Sequence, residues 1–231
     1  MVKLIIQSYR RYNLDNAVLI LAGGSSSRMK GIDKQLAEIG GVPVIVKSML
    51  AFEKSTDIDE IIVSAGEDNI GIIRELSDKY GIKKLTAIVK GGESRSSSAR
   101  NAFKAVKTRG IILIHDGARP FIDRETIKRV ISAAEEYGAA VPVIPVKDTI
   151  KAVKEGFVEA TPDRATLFAA QTPQGFTYEI YEKILLSGKE ATDDSGLAEA
   201  FGIRVKTVEG SEGNIKITTR EDLRQYNTVT D

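Results

Sequence analysis

The strongest constraint on the fold is a regular alternation of short apolar runs with helical patterns. Residues 17–21 form a continuous apolar run that ends in glycines, which is typical of a strand buried on both faces of a sheet. Further strands are predicted at 60–64, 85–89, 111–115 and 140–145, and helices at 44–54, 68–80, 94–107 and 123–137. This alternation predicts an α/β domain with a Rossmann-like, mostly parallel sheet and helices on both faces.

The alternation ends after Val146. Residues 147–165 show a loose alternation of apolar side chains that is interrupted at Glu155-Gly156, which predicts a β-hairpin with no helix attached. The spacing fits either a projecting β-arm that pairs with a second subunit or an ordinary surface excursion. Since no linker or repeat is visible, we predict a single domain over 16–231 with this arm embedded, and an N-terminal extension over 1–15.

Composition narrows the classes of partner. Lys and Arg total 33 against 32 Asp and Glu, so the chain has no general attraction for nucleic acid or acidic membranes. Cysteine is absent, which excludes disulfides and thiolate metal sites and fits a reducing compartment. No apolar run approaches the roughly 20 residues of a membrane helix. We therefore expect a cytoplasmic protein that binds neither nucleic acid nor membrane, and that holds phosphate through a local cluster.

A glycine- and serine-rich loop with two nearby cations follows the first predicted strand. It reads Ala22-Gly23-Gly24-Ser25-Ser26-Ser27-Arg28-Met29, and Lys34 follows shortly. Glycines at the carboxyl end of a strand let backbone N–H groups approach phosphate, and Arg28 and Lys34 add the positive charge that nucleotidyl transfer requires. Taken alone, a Gly-Gly turn of this kind favours an ordinary glycine turn with two solvated basic residues over a phosphate site. It matches neither a Walker loop nor the dinucleotide fingerprint.

Together with Asp33-Lys34-Gln35, this loop resembles the signature of sugar-phosphate and cofactor nucleotidyltransferases. Two families share the signature: the 2-C-methyl-D-erythritol 4-phosphate cytidylyltransferases and the guanylyltransferases of molybdenum-cofactor synthesis. Later segments resemble the first family; they read GGESRSSS at 91–98, HDGARP at 115–120, DTIK at 148–151, TPDR at 161–164, QTPQ at 171–174, TDDS at 192–195 and GNIKIT at 213–218. The chain is therefore identified as a member of the cytidylyltransferase family over about residues 17–224, with Gly117 at a position where the family usually has alanine.

The resemblance implies a CTP site built from the first loop and from the second glycine-rich segment. The nucleotide-binding positions that it implies are Ala22, Gly23, Gly24, Ser25, Ser26, Ser27, Gly91, Gly92, Glu93, Arg95, Ser98 and Gly117. In the family, the backbone and serine of the segment at 91–98 read the cytosine edge, which suits close backbone approach and a small hydroxyl. Ser94 is also a good helix N-cap, and both interpretations can hold together.

The resemblance also implies an acceptor site and a catalytic set. The acceptor-binding positions are Asp116, Arg119, Thr149, Thr172 and Thr192, and the catalytic positions are Arg28, Lys34, Arg164 and Lys216. In the family an arginine at the position of Arg164 reaches across a dimer interface to the acceptor phosphate. Mg²⁺ is expected mainly on the CTP phosphates, with Asp116 as a candidate ligand. His115 is the only histidine, so a histidine metal site is excluded and a structural role is expected.

The activity implied is transfer of a cytidylyl group from CTP to 2-C-methyl-D-erythritol 4-phosphate, with release of pyrophosphate, in non-mevalonate isoprenoid precursor synthesis. The implied partners are CTP, a polyol phosphate and a second copy that pairs through the β-arm. One alternative is a ribitol-5-phosphate cytidylyltransferase, which shares the scaffold; the segments at 115–120 and 192–195 favour the methylerythritol acceptor. A more remote alternative is a non-catalytic nucleotide-binding module, which the presence of Arg28, Lys34 and Lys216 disfavours.

Overall fold

The first half of the chain follows the predicted alternation of strands and helices. A computed structural model describes residues 15–23 and 33–228. In chain order the elements are β1 (Ala17–Ala22), β2 (Glu38–Ile39), β3 (Val42–Pro43), α1 (Val44–Glu53), β4 (Glu60–Ala65), α2 (Asn69–Lys79), β5 (Leu85–Lys90), α3 (Arg95–Phe103), β6 (Ile111–Asp116), α4 (Arg124–Tyr137) and β7 (Ala139–Pro145). The five predicted strands are therefore present as β1, β4, β5, β6 and β7.

The second half is less regular. Its elements are β8 (Ala152–Lys154), β9 (Phe157–Ala160), a short 3₁₀ turn (Arg164–Thr166), β10 (Phe168–Ala170), β11 (Gln174–Thr177), α5 (Tyr178–Leu186), α6 (Asp194–Glu199), β12 (Lys206–Glu209) and α7 (Arg220–Thr228). Among the residues that the structure describes, none of the helices is long and apolar enough to cross a membrane.

The main sheet has the order β10-β7-β11-β6-β1-β4-β5, and β12 also pairs with β7. Its centre is parallel, because β1 pairs in parallel with both β4 and β6, and β4 pairs in parallel with β5. β11 is antiparallel to β6 and β7, β10 is antiparallel to β7, and β12 is parallel to β7. The prediction of a mostly parallel α/β sheet is confirmed. The short strands that follow the hairpin make the sheet mixed.

Alternate residues of β1 face two separate cores. Val18 and Ile20 pack with α1, α2 and α4, whereas Leu19 and Leu21 pack with α3, α5 and α6. Because successive side chains of a strand point to opposite faces, helices on both sides bury all six residues of β1. This is the physical reason that the strand reads as an unbroken apolar run.

A smaller apolar group lies beside the sheet and is called the C-terminal cluster here. Its buried members are Ile39, Val44 and Ile217, and Leu223 and Tyr226 of α7 pack against them. The cluster joins the β2–β3 hairpin to the segment that contains Lys216.

The predicted hairpin is present in the segment 147–165. β8 and β9 pair with each other in antiparallel fashion and form a sheet of their own. The turn between them has positive φ at Glu155 (52°) and at Gly156 (85°), the combination that twists a two-residue hairpin loop in the direction of its strands. That this hairpin is an arm that pairs with a second subunit stays a prediction.

Helix α3 is shorter than predicted. Ser94 caps it as expected, with its side chain accepting from Ser97 N, but the helix ends at Phe103 and does not continue to 107. The backbone leaves the helix because the N–H groups of Lys107 and Thr108 donate to the buried carboxylate of Glu60, at 3.0 and 3.2 Å. A long-range contact therefore overrides the local helical pattern.

Candidate active site

Two glycine segments meet at the carboxyl ends of β1 and β5. A Cβ placed on Gly23 would lie 3.6 Å from Gly91 Cα and 3.7 Å from Ser98 Oγ. Ser98 Oγ accepts from Gly92 N at 3.0 Å and donates to Ser94 O at 2.9 Å, which fixes the second segment against the first turn of α3. The structure therefore brings together Gly23, Gly91, Gly92 and Ser98 of the predicted nucleotide site, at the end of the sheet where open α/β proteins bind ligands.

Asp116, the last residue of β6, is surrounded by cations. Among the described residues, Lys216 Nζ lies 2.7 Å from Asp116 Oδ2, Arg95 Nε lies 3.7 Å from Oδ1, and Arg119 Nε lies 3.9 Å from Oδ2. Burial alone would raise the pKa of Asp116, but the charges of Lys216 and Arg95 outweigh it and lower the pKa to about 2. The carboxylate is therefore ionised at neutral pH, and we call these four side chains the Asp116 cluster.

Each arginine of the Asp116 cluster has a second anchor. Arg95 Nη1 donates to Asp194 Oδ2, and Arg119 Nη1 donates to Asn214 O at 2.7 Å. Burial opposes the charge on Arg95, but Asp194 and Asp116 outweigh that effect and raise its pKa. Burial lowers the pKa of Arg119, against the influence of Asp116. Both guanidinium groups are thus held in place without any ligand.

Thr172 holds the backbone of Asp116 in place through a hydrogen bond. Its Oγ1 accepts from Asp116 N at 3.1 Å and lies 3.1 Å from His115 Nδ1, while His115 Nε2 lies 3.1 Å from Arg119 O. His115 is fully buried and meets the Phe52 ring edge-on. Burial lowers the pKa of His115 to about 4, so the ring is neutral near pH 7. The structural role expected for His115 is confirmed. Thr172 lies beside Asp116, and its predicted contact with the acceptor stays a prediction.

Lys34 lies in a turn that two contacts fix. Asp33 Oδ1 accepts from Gln35 N at 2.8 Å, and Asp33 Oδ2 accepts from Asn69 Nδ2 at 2.5 Å. A Cβ on Gly117 would lie 2.9 Å from Gln35 Oε1, so this turn packs directly against the backbone that follows Asp116. The other predicted residues of the first loop, Gly24, Ser25, Ser26, Ser27 and Arg28, lie outside the described residues.

Five of the described predicted site residues are exposed: Glu93, Thr149, Arg164, Thr192 and, in part, Lys216. Arg164 lies in the 3₁₀ turn after the hairpin, where its Nη1 donates to Lys147 O at 2.7 Å. With Lys147 and Phe168 it lines a cavity of about 720 Å³ beside the hairpin. In the described part of the chain, no hydrogen bond or ion pair joins Arg164 to the Asp116 cluster of the same subunit.

Several buried polar residues that support the site were not predicted. Asp194 Oδ1 accepts from the Tyr181 hydroxyl at 2.9 Å while its other oxygen holds Arg95. Asp194 shares a helix face with Leu197 and Ala198, three and four residues on, and that spacing was the available signal for a buried carboxylate. Asn214 Nδ2 donates to Thr172 O at 2.8 Å and links the segment of Lys216 to the rest of the site.

With this geometry established, comparison with known proteins identifies the family. The model of the family described as 2-C-methyl-D-erythritol 4-phosphate cytidylyltransferase, IspD, matches residues 16–230. The chain belongs to the IspD family. This confirms the resemblance that the motifs between 91 and 218 indicated.

This chain matches individual members of the IspD family over nearly their whole length. The 2-C-methyl-D-erythritol 4-phosphate cytidylyltransferase of Clostridium botulinum is 44% identical over 215 residues, which cover 90% of this chain and 94% of the relative. That of Clostridium acetobutylicum is 42% identical over 221 residues, covering 93% and 96%. The solved 4-diphosphocytidyl-2C-methyl-D-erythritol synthase of Anaerococcus prevotii is 32% identical, with a TM-score of 0.81 and coverage of 94% and 96%.

Proposed function

We propose that this protein transfers the cytidylyl group of CTP to 2-C-methyl-D-erythritol 4-phosphate, giving 4-diphosphocytidyl-2-C-methyl-D-erythritol and pyrophosphate. Membership in the IspD family supports this acceptor over ribitol 5-phosphate. The observation that carries the proposal is the Asp116 cluster, in which cations from distant segments meet beside the glycine-lined end of the sheet.

The chemistry needs no protein nucleophile. An oxygen of the acceptor phosphate attacks the α-phosphorus of CTP, a new P–O bond forms, the bond to the bridging oxygen between the α- and β-phosphorus breaks, and pyrophosphate leaves. Because the acceptor phosphate is already anionic, the main barrier is the accumulation of negative charge around the reacting phosphorus. Lys216 and Arg119 are oriented by Asp116 before substrate arrives, which reduces the reorganisation that the reaction requires.

The nucleotide end of the site is narrow. Gly91 has Ser98 Oγ and Ala65 O at 3.2 and 3.4 Å from the position of an added Cβ, so glycine permits a close approach of backbone to ligand here. We propose that cytosine binds against this backbone and that Lys34 and Arg28 meet the triphosphate. The Gly91 backbone and the small hydroxyl of Ser98 can both reach the hydrogen-bonding edge of a pyrimidine, and the narrow space suits a pyrimidine better than a larger purine.

Mg²⁺ is proposed as part of the nucleotide substrate and not as a resident ion. In the described ranges, no group of three or more His, Cys, Asp or Glu side chains is placed to hold a metal. The carboxylate of Asp116 already faces Lys216, Arg95 and Arg119, which disfavours a further cation at that position. The Asp116 cluster therefore fits a metal that arrives already bound to the CTP phosphates. Mg²⁺ is usually held by substrate phosphates and water, and less often by protein side chains alone.

We also propose that the hairpin pairs with a second copy of the chain. Val153, Phe157 and Val158 are 59%, 79% and 61% exposed, an apolar surface that would be costly to leave in water. Arg164 lies in the turn that follows this hairpin, its described hydrogen bond is with Lys147 O, and we propose that it serves the partner's site in the paired form. A guanidinium is well suited to grip a phosphate there.

A pyrophosphate-release assay tests the proposed function. CTP with 2-C-methyl-D-erythritol 4-phosphate should give rapid release, while ribitol 5-phosphate with CTP, and the methylerythritol acceptor with GTP, should each give far less. Equal rates with ribitol 5-phosphate would overturn the acceptor assignment. Binding of CTP without turnover on any acceptor would favour a non-catalytic module.

A further inference from the structure

A buried chain of polar contacts connects helix α5 with the Asp116 cluster. The Tyr181 hydroxyl donates to Asp194 Oδ1 at 2.9 Å, and Arg95 Nη1 donates to the other oxygen of that carboxylate. Arg95 Nε then lies 3.7 Å from Asp116 Oδ1, and Lys216 Nζ lies 2.7 Å from Asp116 Oδ2. A fully buried tyrosine is thereby linked to the lysine proposed to meet the substrates.

The inner members of this chain are out of reach of a substrate. Tyr181 is fully buried and Asp194 is 3% exposed. Burial, together with the neighbouring Asp194 carboxylate, raises the pKa of Tyr181 well above its ordinary value, so the hydroxyl remains a donor. Among the described contacts, Arg95 is what links these two residues to the Asp116 cluster.

The two carboxylates compete for one guanidinium. Arg95 contacts Asp194 through a direct hydrogen bond and Asp116 only at the longer distance of 3.7 Å. An arginine without Asp194 would turn to Asp116, because a guanidinium pairs best with a carboxylate through two parallel hydrogen bonds. Such a pair would occupy the carboxylate that now holds Lys216.

We propose that Asp194, braced by Tyr181, is a positioning residue that holds Arg95 at its longer distance of 3.7 Å from Asp116 and so lets Asp116 orient Lys216 by the shorter contact. This inference rests on the proposed function, because it assumes that Lys216 acts in cytidylyl transfer. Helix capping does not explain Asp194, since the N-cap of α6 is Asp193, which accepts from Gly196 N at 2.8 Å. The adjacent aspartates thus have separate tasks, and Asp193→Asn provides a matched change of charge.

The experiment compares kcat at saturating substrates in a set of variants. Asp194→Asn should lower kcat about tenfold or more, since Arg95 then competes with Lys216, whereas Asp193→Asn should leave kcat within about twofold. Removing the competitor should reverse the effect, so the double variant Arg95→Ala/Asp194→Asn should have a higher kcat than Asp194→Asn alone. A residue that only stabilises the fold gives the opposite order, with the double variant at least as impaired as the single one.

A second readout does not depend on turnover. The ¹⁵N–¹H NMR signal of the Lys216 ammonium, assigned with Lys216→Arg, should shift in Asp194→Asn and return toward its wild-type position in the double variant. If Asp194→Asn does not fold, Tyr181→Phe should produce a smaller shift in the same direction. An unchanged Lys216 signal in the folded variants would overturn the inference, while a shifted signal in a protein without cytidylyltransferase activity would overturn only the proposed function.

Discussion

Lys216 Nζ lies 2.7 Å from Asp116 Oδ2, although Asp116 ends a central strand and Lys216 comes after every strand of the described sheet. The backbone is fixed at the same place, because Ile217 N donates to Ala118 O at 2.8 Å. The Lys216 side chain keeps 39% of its surface exposed, against 13% for Asp116. The ammonium is thus held by one partner and is still open to a phosphate.

Lys216→Ala should lower kcat by about 10²- to 10³-fold, because it removes a preorganised charge that meets the reacting phosphates. Lys216→Arg should retain more activity than the alanine variant, since it keeps the charge. Steady-state pyrophosphate release measures both. Lys128→Ala, an exposed lysine on α4, is the control and should leave kcat unchanged. Wild-type kcat in Lys216→Ala would remove Lys216 from the mechanism.

Mixed dimers test whether Arg164 acts across the subunit interface. Arg164→Ala and Lys216→Ala should each be nearly inactive alone. If Arg164 serves the partner's site, each heterodimer contains one intact site, and an equal mixture should regain up to about one quarter of wild-type activity. Co-expression with two different tags and a pyrophosphate assay measure the recovery. A mixture as inactive as its parents would show that both residues serve the site of their own subunit.

Gly117→Ala should destabilise the protein. The added methyl group would lie 2.9 Å from Gln35 Oε1, 3.0 Å from Ile45 Cδ1 and 3.2 Å from Leu21 O, so the surroundings must shift at a cost of about 1–3 kcal/mol. The family's usual alanine therefore does not fit this chain as it stands. Because Gln35 follows Lys34, kcat should fall as well. Urea unfolding and turnover measure the two effects.

Gly71→Ala on α2 is the matched control for Gly117→Ala. No atom lies within 4 Å of its added Cβ, so alanine should raise the free energy of unfolding by about 0.5–1 kcal/mol. The same change in the free energy of unfolding in Gly117→Ala and Gly71→Ala would contradict the packing argument.

The single histidine should give the protein a defined pH dependence. The pKa of His115 is lowered to about 4 by burial, against about 6.5 in an unfolded chain. Between these values the unfolded state binds the extra proton, so the free energy of unfolding should fall by about 3 kcal/mol as pH decreases through this window. Urea unfolding from pH 7 down to about pH 4.5 measures the slope.

His115→Gln should remove most of that slope, since the chain has no other histidine. Asp116 does not interfere, because its pKa is lowered to about 2 and the stability that it contributes is lost only at more acid pH, below its unfolded value near 3.9. A slope that survives in His115→Gln would assign the dependence to other groups.

The C-terminal cluster should affect activity more than its size suggests. Ile217→Ala should cost about 2–5 kcal/mol, as expected for a fully buried side chain, and should also lower kcat several-fold. The reason is that the cluster holds both the segment of Lys216 and the β2–β3 hairpin that follows Lys34. Ile127→Ala, equally buried in the main core, should cost similar stability without lowering kcat of the folded protein. Parallel losses of kcat in both variants would contradict this.

The parallel centre of the sheet could be predicted from the sequence because burial on both faces requires continuous apolar runs, as at Ala17–Ala22. The strands β10, β11 and β12 could not. Each is only three or four residues long, and their place in the sheet depends on pairing with distant strands, such as Gln174 opposite Ile114. Short strands of this kind carry no periodicity of their own.

The part of the candidate site at the strand ends could be predicted, because the carboxyl ends of neighbouring parallel strands lie at the same edge of the sheet. Gly23, Gly91 and Asp116 are of this kind. Asp194 and Tyr181 were missed because helical spacing can indicate that a side chain is buried but not which residues of other helices it will contact. For Arg164 the resemblance implied a reach across a dimer interface; the described contact is with Lys147 O, and the role across the interface stays a prediction.

The position of Lys216 has a consequence for synthesis on the ribosome. Every described strand of the sheet is translated before residues 214–217, so a nascent chain presents the glycine turns and Asp116 while the lysine is still inside the exit tunnel. Substrate can therefore meet the complete set of charges only after translation of the fold is nearly finished. Stabilisation by a ligand that needs Lys216 can therefore begin only when residues 214–217 have joined the rest of the fold.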